Sequence, residues 1–83
     1  METNRKIAVI GIAVSSREEV ANKVNEILSQ FGSIIVGRMG IPYKEREISV
    51  ISLIVDGNND EIGALTGKLG NIKGIKVKVG LTF

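Results

Sequence analysis

The chain of 83 residues has the length of one small domain, for which a single hydrophobic core is only marginally sufficient. Its hydrophobic content of 43% and charged content of 24% exclude disorder, and no uninterrupted apolar run approaches the ~20 residues of a membrane span. The net charge is +2, and the lack of cysteine and histidine excludes disulfides, thiolate metal sites and the commonest neutral general base. We therefore expect a single domain over residues 1–83 that uses no metal or cofactor.

The amino-terminal segment predicts a strand and not an export signal. Basic residues precede the apolar run KIAVIGIAV at residues 6–14, but Arg17, Glu18 and Glu19 follow it without a small-residue cleavage site. Apolar residues occupy both alternating sets of positions in this run, which is typical of a central strand covered on both faces. We therefore expect a cytoplasmic protein that does not enter a membrane.

Helical patterns follow the first and third apolar runs. Ser16 and Glu19 have the spacing of a capping box, in which the serine oxygen accepts a backbone N–H and the glutamate returns a bond. Asn58 and Glu61 have the same spacing before the second helix. The residues predicted to face inward from the two helices are Val20, Val24, Ile27, Leu28 and Phe31, and then Ile62, Leu65 and Leu69.

Two further strands, at residues 33–41 and 47–56, are predicted to pair as a hairpin around the polar segment PYKE, and a fourth strand follows Gly74. The order βαββαβ predicts an α+β, ferredoxin-like sandwich with a four-stranded antiparallel sheet. The first and third strands lie at its centre, and both helices cover one face. Because several strands carry apolar residues at both parities, the other face needs a cover. We expect a homo-oligomer, either a dimer or a tetramer; a different protein partner is the alternative.

The hairpin supplies the candidate interface. Met39, Ile41, Pro42 and Tyr43 are predicted to pack on a neighbouring subunit. Arg38 fits either an outward edge-strand position or an ion pair or ligand clamp between subunits.

A small-ligand site is a further hypothesis. We expect the first and third strands to point the same way, so that the turns after them lie side by side at two helix N-termini. The candidate residues are Ser15, Ser16, Arg17, Asp56, Gly57, Asn58 and Asn59. They would bind a small anionic or zwitterionic effector; the alternative is that they only cap the helices.

Enzymatic function is not expected, because the paired carboxylates sit at helix caps or in the polar hairpin, and no phosphate loop or CxxC motif occurs. The basic residues Lys68, Lys73, Lys76 and Lys78 follow the last acid. Lysines on an edge strand prevent edge-to-edge pairing, and nucleic-acid binding is the weaker alternative. The aromatic residues of an RNA-recognition module are missing from the first and third strands.

The segments KIAVIGIAV, QFGSIIVGRMGIPYKERE, ISVISLIVDG and GIKVKVGLTF together resemble the small regulators associated with iron-only hydrogenase systems, within the ACT-like group. The resemblance covers residues 5–83, and its most specific part is RMGIPY at 38–43 followed by SLIVDG at 52–57. It implies a regulatory domain that oligomerises, akin to the carboxyl-terminal domain of nickel-responsive repressors, and a role in transcriptional regulation. The histidine and cysteine ligands of those repressors are missing, which excludes nickel sensing by the same residues. We expect no separate DNA-binding segment, because the βαββαβ unit takes up the sequence.

Overall fold

The computed structural model describes residues 4–81. The elements are β1 (Lys6–Ser15), α1 (Glu18–Gln30), β2 (Ile35–Tyr43), a 3-10 turn (Lys44–Arg46), β3 (Ile48–Gly57), α2 (Asn59–Gly70) and β4 (Ile75–Leu81). The strands form one antiparallel sheet in the order β2-β3-β1-β4. The predicted fold and the central positions of β1 and β3 are therefore confirmed.

The core lies between the helices and one face of the sheet. Ile10 of β1 is paired with Leu53 of β3 and with Val79 of β4, and directly paired residues of antiparallel strands share a face. Alternate residues of the two central strands are buried on this face. The buried apolar residues of the helices are Val20, Val24 and Leu28 in α1 and Ile62, Leu65 and Leu69 in α2.

The predicted cap of the second helix is confirmed. Asn58 Oδ1 accepts the backbone N–H of Glu61 at 2.7 Å, and Glu61 Oε1 accepts the backbone N–H of Asn58 at 2.9 Å. This reciprocal pair satisfies two backbone donors that have no partner within the helix.

The predicted cap of the first helix is wrong. Arg17, and not Ser16, is the N-cap residue, and its side chain makes no capping bond. The Ser15 hydroxyl accepts the backbone N–H of Arg17 at 3.3 Å, while the carboxylate of Glu19 pairs with the Arg17 guanidinium. Glu19 therefore has a cationic partner that competes with the predicted return bond.

The hairpin turn lies later in the chain than predicted. Pro42 and Tyr43 belong to β2, where Pro42 is paired with Ser49 and Tyr43 with Ile48. Proline is tolerated there because β2 is an edge strand. The turn ends at Glu47, whose φ of 54° places it in the left-handed region.

Within residues 4–81, neither helix is long and apolar enough to cross a membrane.

Candidate functional site

The two turns that were predicted to lie side by side are at opposite ends of the sheet. β1 and β3 are antiparallel, with Lys6 paired to Gly57 and Ser15 paired to Ile48. At roughly 3.3 Å per residue, the ends of this ladder are about 30 Å apart. The expectation that the two strands point the same way was wrong, because a helical crossover followed by a hairpin reverses the direction of the third strand. The candidate ligand set is therefore separated into Ser15, Ser16 and Arg17 at one end and Asp56, Gly57, Asn58 and Asn59 at the other.

The first turn is held by backbone contacts with the starts of β3 and β4. The N–H of Ser15 donates to the Gly74 carbonyl at 2.8 Å, and the N–H of Ser16 donates to the Glu47 carbonyl at 3.2 Å. Gly74 has a φ of 93°, and a Cβ there would lie 3.3 Å from the Cβ of Ser15. These contacts account for the conformation of the first turn through local structure.

The second turn is held by an ion pair and by the helix cap. Arg5 Nε lies 3.1 Å from Asp56 Oδ1, and the Arg5 guanidinium also donates to the Asp56 carbonyl at 2.6 Å. The Asn58 side chain is occupied by the capping box. Among residues 4–81, no group of three acidic side chains is arranged to hold a metal ion.

The sheet face opposite the helices carries a continuous set of exposed apolar side chains, which we call the open face. Val9, Val50 and Ile54 of the central strands are between 41% and 46% exposed, although central strands are usually the most covered part of a sheet. The open face consists of Ile7, Val9, Met39, Ile41, Tyr43, Val50 and Ile54.

The predicted interface residues divide between the two sides of β2. Met39, Ile41 and Tyr43 are paired with Ser52, Val50 and Ile48, which places them on the open face. Arg38 and Pro42 are paired with Leu53 and Ser49, and they face the helix side instead.

Arg38 lies at a groove between β2 and α1, where one guanidinium nitrogen donates to Asn25 Oδ1 at 3.3 Å. The groove has a volume of about 210 Å³. It is lined by Val14, Ala21, Val24, Asn25, Arg38, Gly40, Ile41, Pro42, Ser49 and Ile51. The sequence reasoning missed this site, although the small or cyclic residues at alternate positions 40 and 42 were a readable signal that the helix side of β2 lacks large side chains.

The carboxyl-terminal lysines do not form one surface. Lys76 and Lys78 are paired with Ala13 and Gly11, which places them on the open-face side of β4. Lys68 instead belongs to α2, with its Nζ 5.5 Å from the centre of the Phe31 ring.

Comparison with known proteins identifies both a family and a structural class. The family model described as "TM1266-like: Iron-only hydrogenase system regulator, putative" matches residues 6–79. No curated protein matches the chain.

Two solved structures resemble the whole domain. The uncharacterized protein TM1266 from Thermotoga maritima is 38% identical, with a TM-score of 0.93 over 95% of this chain and 99% of that chain. The ACT domain of GTP pyrophosphokinase from Chlorobium tepidum is 20% identical, with a TM-score of 0.74 over 94% of this chain and 99% of that one. The second likeness shows the ACT-type fold alone. The chain belongs to the TM1266-like family of iron-only hydrogenase system regulators.

Proposed function

We propose that this protein is a non-enzymatic, oligomeric ACT-like regulatory domain that acts in the cytoplasm on an iron-only hydrogenase system. It responds to a small effector or to a protein partner, and it assembles through the open face. The family match over residues 6–79 supports the regulatory role, and the likeness to an ACT domain supports the fold on which it rests.

The observation that carries the proposal is the exposure of the open face. Its members are at least 40% exposed in the single chain, including Val9 and Ile54 at the centre of the sheet. Covering one half-exposed apolar side chain contributes on the order of 1 kcal/mol, at about 25 cal/mol per Å² of apolar area. The seven side chains together therefore contribute several kcal/mol, which is comparable to the stability of a small domain.

A second copy of the chain is the cover that suits this face. The centre of the open face is formed by Val9, Val50 and Ile54, without a charged side chain among the three. The nearest acid by register, Asp56, already pairs with Arg5. Two copies related by a twofold axis would therefore bring the apolar centres together, while the exposed Lys76 and Lys78 lie at the β4 edge of the same face.

The regulatory role is tested by measuring hydrogenase activity in cells from which the gene for this chain has been deleted. We expect the activity to change on deletion and to be restored by the wild-type chain and by Val79→Glu. We expect Val50→Glu, which places a charge on the open face, to fail to restore it. Unchanged activity on deletion would contradict the proposal.

The two glutamate variants are matched controls. Val50 and Val79 are the same residue type and are both 43% exposed, but Val50 lies on the open face and Val79 on the helix side of the sheet. Restoration by both variants would show that the open face is not needed for regulation.

A further inference from the structure

The groove between β2 and α1 is open because the edge strand supplies little side-chain volume on its helix side. Gly40 has no side chain, and Pro42 has only its ring. A Cβ placed on Gly40 would lie 3.7 Å from Ile51 Cγ1, which shows that the apolar floor of the groove is within contact distance of any group placed there. Ile51 is itself a core residue with 8% exposure, so the floor of the groove is part of the hydrophobic core.

The rim of the groove carries a positive charge that has no carboxylate partner. The two ion pairs among residues 4–81 join Arg5 to Asp56 and Arg17 to Glu19, and neither includes Arg38. The one hydrogen bond of the Arg38 side chain within that range goes to the neutral Asn25 amide. No Asp or Glu lines the groove. A guanidinium has five N–H donors in a planar fork that matches a carboxylate, so most of its donor capacity remains available.

The remaining polar group is Ser49, whose register partner across the hairpin is Pro42. Its hydroxyl forms no hydrogen bond within residues 4–81 and can both donate and accept. The rest of the lining is apolar, with Val24 of α1 on the wall opposite the edge strand. The site thus combines one cation, two neutral polar groups and a hydrocarbon surface.

The volume favours a small ligand. At about 210 Å³, the groove is smaller than a typical drug-sized pocket of about 300–1,000 Å³. A compact molecule with one carboxylate and a short hydrocarbon chain suits this space.

We propose that this groove is an effector site for a small aliphatic monocarboxylate, with the carboxylate held by Arg38 and the branched hydrocarbon on Ile51 and Val24. Asn25 keeps the guanidinium at the rim and becomes a second polar contact for the ligand. The absence of acidic lining makes an amine a poor ligand. This inference rests on the effector-responsive part of the proposed function, and Ile41 is the one groove residue that also belongs to the open face.

The test uses isovalerate as the probe, with isovaleramide as the neutral molecule of the same shape. Amide chemical shifts of the intact protein are followed by NMR during titration at neutral pH. We expect saturable shifts at the Asn25 side-chain amide and at the backbone of residues 38–42 with isovalerate, with a dissociation constant in the millimolar range or tighter. Isovaleramide should bind at least about tenfold more weakly, because it loses the charge-assisted hydrogen bonds.

Two variants and one control assign the binding to the groove. Arg38→Gln should weaken isovalerate binding at least about tenfold. Gly40→Val should do the same by filling the groove, and the 3.7 Å spacing to Ile51 leaves room for the first carbon. Arg46→Gln removes the same charge from the hairpin turn, outside the groove, and should change the affinity less than about twofold.

Equal effects of Arg38→Gln and Arg46→Gln would indicate attraction to the net charge and would overturn the proposal. Shifts that map elsewhere, or no saturable shift with isovalerate, would also overturn it. Either failure would leave the regulatory proposal intact if deletion of the gene still changes hydrogenase activity. If isovalerate binds specifically but deletion of the gene leaves hydrogenase activity unchanged, the site would be retained and the regulatory role would be rejected.

Discussion

Val9 and Ile54 are paired directly across the two central strands, and both side chains are more than two-fifths exposed on the side of the sheet away from the helices. On the other side of the same ladder, Ile10 and Leu53 are completely buried. The centre of the sheet is therefore dry on one side and uncovered on the other. This difference between adjacent pairs is the physical basis for the assembly that we propose.

A charged side chain placed on the open face should prevent the subunits from assembling. We expect Val50→Glu to shift the protein toward monomer, because burying an unpaired carboxylate in an apolar interface costs several kcal/mol. Size-exclusion chromatography with light scattering at a fixed protein concentration measures the change.

Val79→Glu is the control for that experiment, since Val79 has the same exposure on the opposite face. It should retain the oligomeric mass of the wild type. Identical masses for wild type, Val50→Glu and Val79→Glu would argue against the open face as the interface.

Removing a polar side chain at the N-terminus of α1 and at that of α2 should change the free energy of unfolding by different amounts. Asn58→Ala removes an observed capping bond and should lower the free energy of unfolding by about 1 kcal/mol. Ser16→Ala removes a side chain that does not cap α1 and should change it by less than about 0.5 kcal/mol. Urea unfolding at one protein concentration gives both values. A larger loss of stability for Ser16→Ala would indicate that Ser16 caps α1 after all, as the sequence predicted.

Gly74 should not tolerate a side chain. Its φ of 93° is unfavourable for L-residues, and a Cβ would lie 3.3 Å from the Cβ of Ser15. We expect Gly74→Ala to lower the free energy of unfolding by about 1–3 kcal/mol, measured by urea unfolding.

Gly67→Ala provides the comparison, because Gly67 lies within α2 and a Cβ there has no atom within 4 Å. This change should raise the free energy of unfolding by up to about 1 kcal/mol, through helix propensity alone. Destabilisation by Gly67→Ala would mean that this side of α2 is covered by another subunit.

Replacing Glu47 with glycine should stabilise the end of the hairpin turn. Glu47 has a φ of 54°, and the left-handed region costs an ordinary L-residue roughly 1–2 kcal/mol. We expect Glu47→Gly to raise the free energy of unfolding by about 0.5–1 kcal/mol after the entropy of glycine is subtracted. Thermal unfolding measures this shift, and a fall in stability would show that the Glu47 side chain makes a contact that outweighs the backbone strain.

The fold was predictable because local and long-range patterns agree. The run of Ile and Val in KIAVIGIAV, the spacing of Ile62, Leu65 and Leu69, and the Asn58 cap each predict the element that the structure contains. The βαββαβ order then fixes which strands are central.

The candidate site was less predictable because it depends on strand direction and on competition between side chains. The expected proximity of the turns at Ser16 and Asn58 needed parallel β1 and β3, whereas the hairpin reverses β3. Glu19 pairs with the Arg17 guanidinium instead of the expected backbone N–H. The groove at Arg38 is formed by residues from β1, α1, β2 and β3, so no single stretch of sequence describes it.

Native mass spectrometry of the purified protein at low micromolar concentration tests the central claim most directly. It reports the number of subunits, together with any small molecule retained by them. The account predicts a dimer or a higher oligomer for the wild-type chain. A monomer at that concentration would contradict it, because the open face would then remain exposed to water without a second copy to cover it.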